Sequence, residues 1–395
     1  MKRIAAFFTA FALLILTAAG VHFFTDGNMD LNNREFGTWI NSYKDMSYNA
    51  LSQNMNDETM LVMGSSEFHH GVRGMFHPKA VFRDRDIDIM CLGAAYSQSL
   101  CHAVALGAME PLLKNRKVVL ILSPSWFTGQ GVKPEAFSVR FSQSNYDAMM
   151  KNENLSDELK MRIAEKTEKY LVKDDKKRKA AELCRRINLE GSERFTEEAM
   201  YRIERIFDSE RNNVTVLTAL FSSEIKKNRE VGEPGSEIDE NFWEKMMNKA
   251  ENYAEKRTTN NEFFMIDSRF NKSIKPVLGS SKNSNIGRSY GKSREYEDLE
   301  IFLEVCRETG IEPLILIQPV NGYWYDYTGF PKEGREAMRE NVTRMAEKYG
   351  YKVADFFDEA YTPYFFEDAV HPGAKGWIMI DEAIYSFYHE NQESC

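Results

Sequence analysis

A parallel β-sheet covered by helices on both faces, preceded by a single apolar helix, is the α/β architecture that this 395-residue sequence predicts. Three observations predict it. Short apolar runs rich in Ile, Val and Leu recur with helical periodicity between them. One long, charged, helix-periodic stretch interrupts that alternation after the third run. An uncharged, mostly apolar segment begins at the fourth residue.

That segment, residues 4–24, would be about 30 Å long as a helix, which matches a bilayer core. Lys2 and Arg3 precede it, Asp26 and Asp30 follow it, and the next basic residue is Arg34. This asymmetry predicts the amino terminus inside and the rest of the chain outside. Ala18-Ala19-Gly20 would suit signal-peptide cleavage, but Val21, His22, Phe23 and Phe24 prolong the segment beyond a typical leader. An uncleaved anchor over residues 1–26 is therefore expected. Residues 27–55 read as a polar connector ending in short helices. Strands are expected at 59–63, 87–92, 118–122, 314–318 and 352–355, and helices at 98–113, 293–308, 333–348 and 373–388. Strands alternating with helices imply a five-stranded, flavodoxin-like three-layer α/β/α sandwich built from residues 27–129 and 293–395.

Residues 130–292 are expected to form a helical insertion subdomain, with helices at 157–172, 175–188, 196–207, 213–227 and 240–257. The basic run from Lys173 to Lys179 reads as a solvated helix start rather than a site for an anionic polymer. Residues 279–293, dense in Ser, Gly and Asn, read as a loop near the site. The balance of 51 basic and 60 acidic residues, a formal charge of -9, excludes general affinity for a polyanion, so no nucleic-acid partner is expected. Cys91, Cys101, Cys184, Cys306 and Cys395 lack Cys-x-x-Cys spacing, which argues against a structural zinc or a redox pair. Cys91 and Cys101 would pair only in an oxidising compartment; buried free thiols are the expectation. There is neither a metal-ligand cluster nor a glycine-rich phosphate loop by spacing, so no metal or cofactor is expected.

The chemistry centres on Gly64-Ser65-Ser66, at the carboxyl end of the first strand, where open α/β sheets place reactive groups. Gly64 permits a tight turn, and a serine just beyond it sits near backbone N–H groups that can face an oxyanion. Ser66 is the candidate nucleophile, with Ser65 as the alternative. A serine hydroxyl needs a base, and Asp368-Ala369-Val370-His371 supplies one after the last strand, with Asp368 to orient the imidazole. Each motif alone is an ordinary turn. Their joint position after the first and last strands of one sheet makes them a triad. Gly93, after the second strand, is placed to give a backbone N–H, and Ser125, after the third, a hydroxyl. His69, His70, Arg73 and His77 are placed to line the entrance.

The order strand-Gly-x-Ser, Gly after the second strand, a polar residue after the third and a terminal Asp-x-x-His resembles the SGNH or GDSL hydrolase superfamily. Ser65 stands where that superfamily usually has Asp, and Ser123-Pro124-Ser125-Trp126-Phe127 replaces its asparagine-containing block. Together with Gly64-Ser65-Ser66-Glu67-Phe68, the aromatic block from Pro319 to Gly329 and His371-Pro372-Gly373, these departures resemble the DltD family of teichoic acid D-alanylation proteins. Where that family commonly has Gln, this chain has the shorter Ser125. The resemblance covers nearly the whole chain. It implies a single-pass membrane protein of Gram-positive bacteria, its domain extracellular, that acts late in attaching D-alanine to lipoteichoic acid beside a DltB-like membrane-bound O-acyltransferase. On that reading Ser66 would carry a D-alanyl ester, and Trp324, Asp326 and Tyr327 would build an acceptor platform for a polyol or sugar. An esterase or thioesterase would use the same triad with water as acceptor. A non-catalytic adaptor for a D-alanyl carrier protein would not need Ser66 at all.

Overall fold

The computed structural model describes residues 2–191, 195–228 and 235–390. Five strands, β1 (Met60–Met63), β2 (Ile89–Leu92), β3 (Lys117–Leu122), β4 (Glu312–Ile317) and β5 (Lys352–Asp355), form one sheet in the order β2-β1-β3-β4-β5. All four pairings are parallel. The order reverses between β1 and β3, so the carboxyl end of β1 opens onto the switch point where such sheets bind ligands.

Alternation of side chains along the strands divides the core. Leu61, Met63, Met90 and Leu92 face one cluster; Met60, Val62, Ile89 and Cys91 face the other. The anchor helix α1 (Lys2–Met29) precedes the sheet. The first cluster is covered by α2 (Ser99–Met109), α3 (Gln143–Met150) and α4 (Asp157–Tyr170), and Cys184 of α5 (Asp175–Arg185) is buried in it. A long helix, α6 (Phe195–Phe221), contributes Val216, Leu217 and Leu220 at its edge. The second cluster is covered by α7 (Glu240–Glu255) and by the C-terminal helix. Between them in sequence, α8 (Glu295–Thr309) and α9 (Lys332–Tyr349) return to the first face, and α10 (Ala374–His389) closes the second. The three-layer sandwich is the fold that the sequence predicts. Helices from the stretch between β3 and β4 thus pack on both faces of the sheet.

One expectation needs correction. The helices expected at 196–207 and 213–227 are one helix, α6. No Gly or Pro separates them, and Arg205–Asp208 at 2.7 Å and Arg211–Asp208 at 2.9 Å bridge the polar joint. The connector after the anchor ends in short helices, Ser42–Asp45 and Tyr48–Ser52, and is docked on the domain: Leu31, Phe36, Trp39 and Leu51 are buried in the first cluster. The loop over residues 279–293 is tied down where Asn285 donates its N–H to the Thr328 carbonyl (2.8 Å) and Tyr290 to that of Gly334 (2.8 Å). The basic run around Lys176 is a helix start, with Asp174 accepting the Lys177 N–H at 3.1 Å. Cys91, Cys101, Cys184 and Cys306 are free thiols, and Cys395 lies outside the described residues.

Candidate active site

After β1 the chain turns through Gly64 and Ser65 into a short 3-10 turn, Ser66–His69. The turn is tight because Gly93 packs on it: a Cβ at Gly93 would lie 2.3 Å from the Gly64 carbonyl oxygen, so only glycine fits. Two buried histidines hold its carbonyls. His102 donates Nε2–H to the Gly64 carbonyl at 2.8 Å. His77 accepts the Lys79 N–H on Nδ1, which leaves its Nε2–H to donate to the Phe68 carbonyl at 3.0 Å. Burial pushes both imidazoles down to about 4, so both are neutral at physiological pH. His77 is therefore a wall of the turn and not part of an entrance; His69 and Arg73 are the exposed members of the group.

The turn separates the two serines. Ser65 is 3% exposed and donates its hydroxyl to the Ala94 carbonyl at 3.1 Å, while its N–H goes to the buried carboxylate of Glu67. Ser66 faces the other way, and its Oγ lies 2.9 Å from His371 Nε2. His371 Nδ1 in turn lies 2.9 Å from Asp368 Oδ2. Burial would raise Asp368, but the His371 ring and the N–H groups of Val370 and His371 outweigh it and hold the carboxyl at about 2. An ionised carboxylate only accepts, so Nδ1 carries the ring proton and Nε2 offers its lone pair to Ser66. Burial disfavours a charged His371, yet Asp368, with Glu67 and Glu367 behind it, raises its pKa above the ordinary 6.5.

The Asp-x-x-His spacing has a local cause. Asp368 Oδ1 accepts the N–H of Val370 (3.0 Å) and of His371 (2.9 Å), folding the loop so that the ring swings back onto the same carboxylate. The end of β4 fixes the loop from below: Gln318 donates its side-chain amide to the Val370 carbonyl, and Asn321 its N–H to Ala369 at 3.0 Å. One of the residues expected at the entrance, His70, instead brings a second imidazole onto the base itself. His70 stacks flat on His371, with centroids 3.6 Å apart and planes 8° apart, and contacts Glu367, which also pairs with Arg269 at 2.9 Å. His70, Asp368 and His371 are also the group among the described residues whose atoms could hold a metal ion.

The other candidates lie elsewhere. The Gly93 N–H donates to Asp45 Oδ2 at 3.2 Å, so a carboxylate occupies the direction expected for an oxyanion. Burial lifts that carboxyl to about 6. Ser125 is exposed and bonds only Ser123 Oγ, at 2.9 Å. Trp324 is 8% exposed and packs with Phe263 and Tyr327 in a small separate core, and the Tyr327 hydroxyl donates to the Leu278 carbonyl at 2.9 Å. These two rings do not present an open platform, because they support the loop under Ala369. Asp326 is half exposed and accepts from Arg335 and from the Tyr361 hydroxyl at 2.7 Å.

A five-stranded parallel sheet with a serine after its first strand and Asp-x-x-His after its last defines a class of three-layer α/β proteins with a Ser-His-Asp array at the carboxyl edge of the sheet. Within that class the match is narrower. The family described as DltD protein matches residues 33–389. The protein DltD of Bacillus subtilis (strain 168) is 30% identical over 365 residues, covering 91% of this chain and 90% of the relative. That of Staphylococcus aureus (strain NCTC 8325 / PS 47) is 30% identical over 82% of this chain and 79% of its own length. That of Lacticaseibacillus rhamnosus is 26% identical over 82% and 76%. The chain belongs to the DltD family, the teichoic acid D-alanylation proteins that its motifs resemble.

Proposed function

We propose that this chain is a serine acyltransferase of teichoic acid D-alanylation, anchored by α1 with its folded domain outside the membrane. The observation that carries the proposal is the continuous array of Ser66 Oγ, His371 and ionised Asp368, with 2.9 Å at each step. Ser66 Oγ attacks the carbonyl carbon of an activated D-alanyl ester or thioester, and its proton passes to His371 Nε2. As the bond to the leaving group breaks, that proton goes to the departing oxygen or sulfur, leaving a D-alanyl ester on Ser66. A glycerol or sugar hydroxyl of lipoteichoic acid then attacks the ester and gives its proton to Nε2; as the acyl–Ser66 bond breaks, that proton returns to Ser66 Oγ and the D-alanyl group stays on the acceptor. The N–H groups that open the Ser66–His69 turn have no intrahelical carbonyl to serve and suit the oxyanion. Gly93 can join them only when Asp45 releases it. A membrane-bound O-acyltransferase on the same membrane is the donor partner that this scheme requires.

The test is intact-mass spectrometry of the full chain in mild detergent after incubation with an activated D-alanyl ester. A D-alanyl adduct mapped to Ser66 and absent in Ser66→Ala and His371→Ala is expected. In His371→Ala its rate should fall on the order of a thousandfold, and in Ser66→Ala no hydroxyl remains to carry it. No adduct on the folded wild-type chain would overturn the covalent scheme. Transfer from the adduct to added glycerol phosphate, faster than its loss to water, separates a transferase from an esterase.

A further inference from the structure

The molecule carries a second apolar surface outside the sheet, on α6. Along its 27 residues, Ile203, Phe207, Glu210, Val214, Leu217 and Phe221 recur at spacings of three and four, which puts them on one face. Phe207, Val214 and Phe221 are exposed, Phe221 by 77%. The single carboxylate in this series, Glu210, is turned onto the anchor: His22 Nδ1–H donates to it at 2.6 Å and the Thr25 hydroxyl at 2.8 Å. Further along, Val214, Leu217, Thr218 and Phe221 share a groove with Thr17, Gly20, Val21 and Phe24. The carboxyl-terminal half of α6 therefore lies alongside residues 17–25 of α1.

We propose that the outer face of the carboxyl-terminal half of α6, which carries Val214 and Phe221 and lies opposite the Val216 and Leu220 that pack in the first cluster, is immersed in the bilayer beside α1, so that the folded domain meets the membrane at two elements instead of one. The inference rests on the reading of α1 as a membrane span. Residues 4–24 have about the length of a bilayer core with little to spare, so residues 17–24 lie in the leaflet nearest the domain. Whatever runs alongside them lies at the same depth. The chemistry of α6 suits that depth: residues 212–223 contain no charged side chain. Their hydroxyls are satisfied within the helix, Thr215 on the Arg211 carbonyl (2.8 Å), Thr218 on that of Val214 (2.7 Å) and Ser223 on that of Leu220 (2.8 Å). A helix facing lipid needs that arrangement, because hydrocarbon offers no partner to a free donor. The charges resume with Glu224, exposed just after this stretch, and with Lys226 and Lys227, also exposed, of which Lys227 reaches the Gly27 carbonyl at 3.3 Å, just past the end of the apolar run.

Photocrosslinking tests this on the full chain. Leu13, Val214 and Phe221 are replaced one at a time by benzoylphenylalanine, which inserts into a neighbouring C–H bond on irradiation, in vesicles of phosphatidylglycerol and phosphatidylcholine. All three side chains are exposed, so the substitutions leave the core intact. Intact mass is expected to show a phospholipid adduct at Val214 and Phe221 in a yield comparable to Leu13. Lipid at Leu13 with no lipid adduct at Val214 or Phe221, or with a crosslink there to a second copy, would overturn the inference and leave the anchor standing. No lipid adduct at any of the three would overturn both.

Discussion

The two halves of the site are built from opposite materials. The serine turn is held largely by neutral groups: His77 and His102, both buried, donate to backbone carbonyls, and Gly93 fills the space behind Gly64, with the Glu67 carboxyl taking the Ser65 N–H beside them. The histidine loop is held by charge: Asp368 on His371, and Glu367 between His70 and Arg269. A nucleophile needs a fixed, dry turn, whereas a base that gains and loses a proton in each half-reaction needs fixed charge beside it. The division of labour makes the two halves separable by experiment, because substitution and pH act on them differently.

The largest effect belongs to the charged half. In Asp368→Asn the side-chain oxygen still accepts the N–H groups of Val370 and His371, so the loop keeps its fold. The amide now presents its NH2 to His371 Nδ1, which forces the proton to Nε2 and removes the lone pair from Ser66. The rate of D-alanyl adduct formation should fall on the order of 10⁴-fold with little change in melting temperature. A loss of less than tenfold would mean that Asp368 is scaffold and not part of the proton path. In the wild-type chain the same rate should climb with pH through a midpoint above 6.5, because Asp368 raises His371 and only the neutral ring is a base.

The neutral half should appear in stability rather than rate. His77 and His102 have pKa values pushed down to about 4 from 6.5, so the unfolded chain binds protons that the folded chain refuses. Stability from these groups is complete above pH 6.5 and lost as pH falls from 6.5 towards 4, by about 3 kcal/mol for each. Asp368 acts in a different window. Its carboxyl is depressed from 3.8 to about 2, so its contribution is present above 3.8 and lost only below that. Urea unfolding of the wild-type chain and of His102→Gln at pH 7 and pH 5 isolates this contribution from those of other groups that titrate in the same window. His102→Gln, which keeps a donor for the Gly64 carbonyl and cannot titrate, should shift the difference in favour of pH 5 by about 2 kcal/mol relative to wild type. If the difference survives intact, His102 is not the group responsible.

Sequence made the two halves legible to different depths, for the same physical reason. Asp368 and His371 are three residues apart and their bond is local, so spacing alone exposes it. The parallel sheet was equally readable, because residues such as Leu61 and Val62 must each find a buried face. What spacing could not expose are bonds across the fold: His70 meets Glu367 from 297 residues away, and Asp45 reaches Gly93 from another element. The polar joint 208–213 looked like a break between helices, since its ion pairs exist only once the helix has formed. Trp324 and Tyr327 looked like a ligand platform because an aromatic run reads the same whether it faces solvent or a small core; burial, which only the fold decides, assigns both rings to packing.

His70 gives the smallest effect and the finest test of the comparison, since it belongs to the charged half but touches His371 through its flat face. Stacked rings of this kind contribute about 0.5–1.5 kcal/mol. Removing the ring in His70→Ala takes away that contact, but Glu367 keeps Arg269 at 2.9 Å, so no buried charge is stranded. The adduct rate should then fall by no more than about tenfold, and His70→Phe, which restores the stack without a titrating group, should recover most of it. Recovery by Phe would mean that His70 braces the ring of His371 mechanically. Failure of Phe to recover the rate, with the midpoint of the pH profile displaced in both variants, would instead make the His70–Glu367 pair part of the charge balance that sets the base.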